Sequence, residues 1–319
     1  MPAKLVAVTD SVFPNLDPAQ EVLAKIGAEV RLAEQVPRDA DAILTTYAKI
    51  SAGLIQELKQ CRIIARFGIG VDNVDIPAAT NAGIVVTRVP DYCLDEVSDH
   101  TMTLLLALVR KIPSSNARTQ GGKWEMRAVV PIHRLRGTVL GLVAFGQIPQ
   151  LVAPKAQSFG IRVVTYDPFV SKQVAERAGV EQVTFDELLK ISDYISIHTP
   201  LLPATRHLFN AEVLSRMKPT AYLINTARGP IIDEAALASA LDQGHLAGAA
   251  LDVMEQEPPS GSPLFGRDNV IVTPHTSFYS EESLVDLQTK AAEEVVRVLS
   301  GQTPKNPVNP EALKAAQSI

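Results

Sequence analysis

Cysteine is scarce in this 319-residue chain: there are two, Cys61 and Cys93, and neither lies in a C-x-x-C pair or a metal-type cluster. That excludes a disulfide scaffold. It leads us to expect a reducing compartment, two ordinary thiols and no bound metal. Long apolar runs are missing too. No stretch reaches the roughly 18 uninterrupted apolar residues of a membrane span. The first residues, MPAKLVAVTD, lack a charged segment followed by an apolar one, so no signal peptide is expected and the chain reads as cytoplasmic. There is no basic tract, and 30 Lys and Arg against 35 Asp and Glu leave a net charge of -5. Nucleic acid and anionic membranes are therefore poor partners. Internal repeats and low-complexity segments are likewise absent.

What is present is 46% hydrophobic residues and 20% charged ones, an ordinary balance for a chain with a sizeable core. The length fits two domains. Strand-like and helix-like segments alternate, which predicts an α/β protein with parallel sheets. A first strand is expected over 4–9, then a helix capped by Asp17 with Pro18 at its first position and Gly27 at its end. Strands follow at 42–46, 62–66 and 84–87, with Ser51 capping a helix between the first two. Residues 94–112 predict one long helix, apolar all round, that a domain or subunit must cover. A second series of strands is expected at 138–145, 162–166, 194–197, 221–225, 249–252 and 270–273, then a helix over 280–299. The proline-rich tail TPKNPVNPEAL is expected to lie irregularly on the surface.

The segment TVLGLVAFGQIPQLVAPKAQSFGIRVVTYD reads as strand, tight turn, helix, strand and acid. Gly146 occupies the turn, and the helix after it offers the N–H groups of Gln147 and Ile148 to an anion. Asp167, twenty-one residues later, is placed to bond a ribose hydroxyl and repel a 2′-phosphate. The full pattern G-x-G-x-x-G is incomplete, with Ala144 and Pro149 at the outer glycine positions. Ala144 fits if its φ stays negative. Pro149 is tolerated in a first turn, whereas Pro154 should kink or interrupt the helix. From this segment alone, a dinucleotide site and a βαβ unit without ligand both remain open.

Three further segments place polar residues after strands: Arg228 in LINTARGPIIDE, Asp252 and Glu257 in LDVMEQEPP, and His275 in VIVTPHTS. Side chains beyond the carboxyl ends of parallel strands face a ligand crevice. A histidine beside a carboxylate suits proton transfer near neutral pH, and an arginine makes forked contacts with a carboxylate or carbonyl. Each has an ordinary reading alone: a surface cation, a solvated acid, a buried structural histidine. Their joint placement is what points to chemistry. His100, His133, His198, His207 and His245 show no comparable setting, except that His198 begins the loop HTPLLPATRHL.

These motifs, with ARFGIGVDNVD (65–75), VPDYCLDEVSDHT (89–101) and HTPLLPATRHL (198–208), resemble the D-isomer-specific 2-hydroxy-acid dehydrogenases over nearly the whole chain. The similarity is to the branch of phosphoglycerate dehydrogenases and C-terminal-binding-protein-like enzymes. The resemblance implies two Rossmann-like or flavodoxin-like domains, the first discontinuous: 1–98 with 280–319 for substrate, and 99–279 for the dinucleotide. It implies NAD-dependent interconversion of a D-2-hydroxy acid and its 2-keto acid. His275 would be the acid/base, Glu257 would tune it and Arg228 would bind substrate. By the same resemblance Ile69 and Gly70 hold the substrate carboxylate. Thr199, Pro200, Thr226, Ala227 and Asp252 meet the cofactor, and the helix from Leu94 helps build a homodimer. Ala144, Pro149 and the uncharged Gln150 depart from the family pattern and bear on cofactor affinity. They keep open the alternative of an NAD(H)-binding sensor or scaffold with little turnover. Arg66 and 124–127 are further candidate substrate contacts.

Overall fold

A computed structural model describes residues 3–315. Two compact units emerge: one runs to Cys93 and resumes at Tyr279, and the other is Leu94–Phe278. The first begins β1 (Leu5–Val8), α1 (Asp17–Ala24), β2 (Glu29–Leu32), β3 (Ala42–Thr45), α2 (Ala52–Glu57), β4 (Ile63–Arg66), α3 (Ile76–Asn81), β5 (Val85–Thr87). Its five strands form one parallel sheet, ordered β2-β1-β3-β4-β5. That is a flavodoxin-like order, reversing at β1 and β3. The central strands LVAV, AILT and IIAR are buried on both faces, hence their unbroken apolar or near-apolar runs. β2, EVRL, is an exposed edge without such a run, and the sequence pattern does not announce it. Ser51 caps α2 as expected, through Leu54 N–H. Asp17 instead lies inside α1, whose cap position is Leu16.

The second unit holds α4 (Leu94–Val109), α5 (Ile112–Gln120), β6 (Val139–Val143), α6 (Gln147–Ser158), β7 (Arg162–Tyr166), α7 (Lys172–Arg177) and β8 (Glu181–Gln182). It continues with α8 (Phe185–Ile191), β9 (Tyr194–Ile197), α9 (Ala211–Ser215), β10 (Tyr222–Asn225), α10 (Glu234–Asp242), β11 (Gly248–Leu251) and β12 (Val270–Val272). The seven strands are parallel, in the order β12-β11-β10-β9-β6-β7-β8. Counted from β6, this is the Rossmann order 3-2-1-4-5-6 with one strand added. α11 (Glu281–Leu299) and α12 (Ala312–Ala315) return the chain to the first unit, where α11 packs on α1 and β4.

Other expectations are refined as well. The long helix ends at Val109, because Lys111 turns left-handed (φ 53°) and Pro113 opens a second helix, α5. The apolar side of α4 is covered within its own unit: Met102, Leu104, Leu105, Leu108 and Val109 pack with Leu140, Leu142, Phe145, Val152 and Ala156. α4 therefore carries no argument for a subunit partner. The proline-rich tail is irregular, as expected, but it is pinned to the sheet. Val308 N–H bonds Val86 O (2.8 Å), Arg88 N–H bonds Asn306 O (3.3 Å) and Pro307 bridges Thr87 antiparallel, so the tail covers the β5 edge. Asn309, fully buried, locks it by accepting Val86 N–H (2.7 Å) and donating to Thr80 Oγ1 (2.9 Å) and Ile84 O (3.0 Å).

α6 runs unbroken through Pro154. A proline inside a helix costs about 3 kcal/mol. Here its ring is exposed, and the carbonyl it leaves without a helical donor belongs to Gln150, also exposed and open to water. Opposite, Val152, Ala153 and Ala156 are buried, and Val152 alone returns roughly 1.5–3 kcal/mol. Packing outweighs propensity. Among the described residues, no helix is long and apolar enough to cross a membrane.

Candidate functional site

The register of the seven-stranded sheet places Tyr166, Val143, Ile197, Asn225, Leu251 and Val272 in one row across six strands. The residues that follow, Asp167, Ala144, His198, Thr226, Asp252 and Thr273, therefore leave the sheet at one end. The switch point lies between β6 and β9, where His198 N–H bonds Val143 O (2.9 Å). Desolvation pushes the His198 imidazole down to about 3, so it stays neutral and is no acid or base near pH 7.

At β6 the turn is Ala144-Phe145-Gly146. Ala144 has φ 79°, not the negative value expected. A side chain in that region costs about 1–2 kcal/mol. The turn is held regardless: Ala144 N–H bonds Tyr166 O (2.8 Å), Phe145 N–H bonds Asp167 Oδ2 (2.8 Å), and the Phe145 ring is fully buried. Gly146 has φ -73°, which any residue adopts, and a Cβ there would meet nothing within 4 Å. No protein contact requires this glycine; close approach of a ligand at the N-terminus of α6 would. Pro149 is buried in the third helical position, and Gln150 donates to Phe145 O (2.9 Å), bracing the loop without charge. Asp167 Oδ1 also accepts Phe169 N–H (2.8 Å) and Val170 N–H (3.2 Å). A carboxylate has about four acceptor sites, so capacity for a hydroxyl remains. The residues present thus fit a dinucleotide.

Beyond β10, buried Asn225 shapes the Thr226-Ala227-Arg228 turn. Its Oδ1 accepts Ala227 N–H (3.0 Å) and its Nδ2 donates to Arg228 O (2.9 Å). Thr226, 8% exposed, bonds its hydroxyl to Thr101 of α4 (3.0 Å). Arg228 Nη1 donates to Ala227 O (2.7 Å). A Cβ on Gly229 would fall 1.8 Å from Met254 O, so only glycine lets this turn lie against the 254–255 peptide. That contact brings the Arg228 turn to the loop carrying Glu257.

The centre of the site is His275 Nδ1 to Glu257 Oε2, 2.7 Å. Burial pushes the Glu257 carboxyl up, but the His275 hydrogen bond and charge, the Met254 N–H (2.9 Å) and the Arg228 charge outweigh it and leave the pKa lowered. An ionised carboxylate only accepts, so Nδ1 carries the proton and Nε2 of the neutral ring is a base. His275 is itself left-handed, φ 54°. The resemblance implies a cofactor contact for Asp252, yet its side chain is wholly buried and both oxygens serve the His275 turn. Oδ1 accepts Thr273 Oγ1 (2.5 Å) and Thr276 N–H (2.9 Å), and Oδ2 accepts Ser277 N–H (2.8 Å).

Two histidines without an evident setting in sequence have acid partners. His100 Nε2 lies 3.1 Å from Thr273 Oγ1 and 3.5 Å from Asp252 Oδ1, and His207 Nε2 lies 2.6 Å from Glu255. Thr199 is half-buried and Pro200 exposed, with Pro200 O accepting Thr205 Oγ1 (2.7 Å). Ile69 and Gly70, half-buried, follow β4 in the other unit. Among the described residues no cluster could hold a metal ion.

Residues 102–277 match the NAD binding domain of the D-isomer specific 2-hydroxyacid dehydrogenases. The chain belongs to that family. It is 39% identical, over 95% of its length, to a D-3-phosphoglycerate dehydrogenase of Methanocaldococcus jannaschii, of which it covers 59%. It is 37% identical, over 89% of its length, to a glyoxylate reductase of Thermococcus litoralis, covering 88% of that protein. The solved structure of D-lactate dehydrogenase from Aquifex aeolicus, complexed with NAD and lactic acid, matches with a TM-score of 0.85 at 27% identity, 98% of each chain being covered. The chain spans only 54–59% of the length of several phosphoglycerate dehydrogenases in the family. The family's NAD binding domain coincides with the unit that holds Gly146, Asp167, Arg228, Glu257 and His275.

Proposed function

We propose that this chain interconverts a small D-2-hydroxy acid and its 2-keto acid with NAD(H), in the cytoplasm. The observation that carries the reading is the 2.7 Å His275–Glu257 pair, set among the strand ends that also present Arg228. Oxidation requires a base for the hydroxyl proton, and Nε2 of His275 is that base; reduction returns the proton from the same atom. Glu257 fixes the tautomer and stabilises the imidazolium that forms. Arg228 binds the carboxylate and polarises the carbonyl. Ile69 and Gly70 supply backbone N–H groups to the carboxylate. Gly146, Gln147 and Ile148 hold the pyrophosphate and Asp167 a ribose hydroxyl, with Thr199, Pro200, Thr226 and Ala227 lining the cofactor. Bound NAD supplies the hydride acceptor. Asp167 disfavours a 2′-phosphate, and Pro168-Phe169-Val170-Ser171 offers it no cation.

A panel of 2-keto acids tested with NADH and with NADPH decides the matter. Turnover of at least one acid, faster with NADH, is the expected result. NADH binding without turnover of any panel member would favour a sensor or scaffold, a reading for which strained Ala144 and Pro149 are the supporting features.

The same reading includes a homodimer, carried by 112–130 instead of α4. α5 has no buried residue, and Ile112 (56% exposed), Trp124 (89%), Met126 (75%) and Val130 (53%) are bare. Four large exposed apolar side chains so close in sequence mark an interface. The segment also carries Arg118, Lys123 and Arg127 against one acid, Glu125, on a chain of net charge -5, which favours a second copy as its cover.

A further inference from the structure

His275 is held in a left-handed conformation, a cost that persists only where the surroundings over-determine it. His275 N–H bonds Asp252 O (2.8 Å) and Thr273 O (3.0 Å), while the Asp252 carboxylate gathers Thr276 N–H and Ser277 N–H on the far side of the turn. A further tie is the Thr273 hydroxyl. It has one proton, and that proton goes to Asp252 Oδ1 at 2.5 Å. Its oxygen therefore meets His100 Nε2, 3.1 Å away, as an acceptor, so Nε2 of His100 must carry a hydrogen. The chain of bonds runs His100 Nε2–H to Thr273 Oγ1–H to Asp252 Oδ1, from α4 to the end of β11.

We propose that His100 is a positioning residue for His275: its Nε2–H fixes the Thr273 hydroxyl on Asp252 and so sets the turn that aims the catalytic imidazole. This rests on the acid/base role given to His275 above. Without the His100 donor, the Thr273 hydroxyl is held by Asp252 alone, and the β12 end of the turn loses its hydrogen-bonded tie to α4. A misplacement of about 1 Å at a reacting group costs as much as a hundredfold in rate. The cost falls on the chemical step, because the polar partners of His100 are Thr273 and Asp252, in the turn of His275, and not the phosphate loop or Asp167.

The test compares His100→Gln, His100→Asn and His100→Ala. A glutamine amide reaches the place of Nε2–H, whereas an asparagine amide reaches only the place of Nδ1. Turnover in the glutamine variant should stay within about threefold of wild type. The asparagine and alanine variants should lose about tenfold or more in kcat, with KM for the keto acid and Kd for NADH changed less than about threefold. If the alanine variant does not fold, the glutamine–asparagine comparison decides. Nitrogen-15 NMR of the wild type supplies a readout independent of turnover: His100 should be in the Nε2–H form at neutral pH. An Nδ1–H tautomer, wild-type kcat in the alanine variant, or equal loss in all three variants would overturn the proposal. A wild type that turns over no keto acid, with His100 still in the Nε2–H form, would instead count against the acid/base reading.

Discussion

Ala144 shows how a single residue can be read correctly in type and wrongly in conformation. The sequence places it at a turn with negative φ, whereas in the fold its φ is 79°. Glycine there avoids about 1–2 kcal/mol of left-handed strain and loses about 0.4–1 kcal/mol through the freer unfolded chain. Ala144→Gly should therefore stabilise the protein by roughly 0.5–1 kcal/mol, measured by urea unfolding; a destabilised variant would mean the turn is relaxed around alanine. Glu257 makes a statement about pH. Its folded pKa is lowered, so its contribution to stability is present above the unfolded value and lost as pH falls through the folded one. The stability gap between wild type and Glu257→Gln should narrow as pH drops from 6 towards 3. A gap independent of pH would contradict the pairing with His275.

Elements were legible where burial wrote a pattern. The fully buried strands appear in sequence as apolar runs, and their carboxyl ends could be located to within a residue or two; that is why Arg228 and His275 could be singled out. Exposed β2 and two-residue β8 left no pattern. The setting of His100 is not legible in sequence because its partners, Thr273 and Asp252, lie more than 150 residues away and are joined to it only by the fold. The role of Asn225 is equally hidden, because an amide holding a turn has the same letters as one facing water. The pinning of the tail is not legible because prolines suggest a free loop, whereas Pro304 is buried, Pro307 bridges Thr87 and Asn309 does the anchoring. Asn309→Ala leaves buried Val86 N–H without its acceptor, and such a group costs about 1–3 kcal/mol. Together with the lost bonds to Thr80 and Ile84, chemical denaturation should register a loss of about 2–4 kcal/mol. A loss below about 0.5 kcal/mol would show that the tail is held by the backbone pairing alone.

At the scale of the whole molecule, two parallel sheets of different strand order were foreseeable as a class, from alternating segments and from family resemblance. The exposed segment 112–130 was not, since its apolar residues are scattered among charges. Light scattering should give about twice 34.4 kDa for the wild type. Trp124→Glu should shift the population towards 34.4 kDa; a wild type already monomeric at working concentration would refute the dimer.

The central claim is that Nε2 of His275, poised by Glu257, moves the substrate proton. Single-turnover kinetics of His275→Ala, with NADH bound and the keto acid that wild type prefers, tests it most directly. The account predicts NADH affinity within about threefold of wild type and a chemical step slowed by at least about a hundredfold, the scale of a positioned acid or base. A chemical step at the wild-type rate would contradict it.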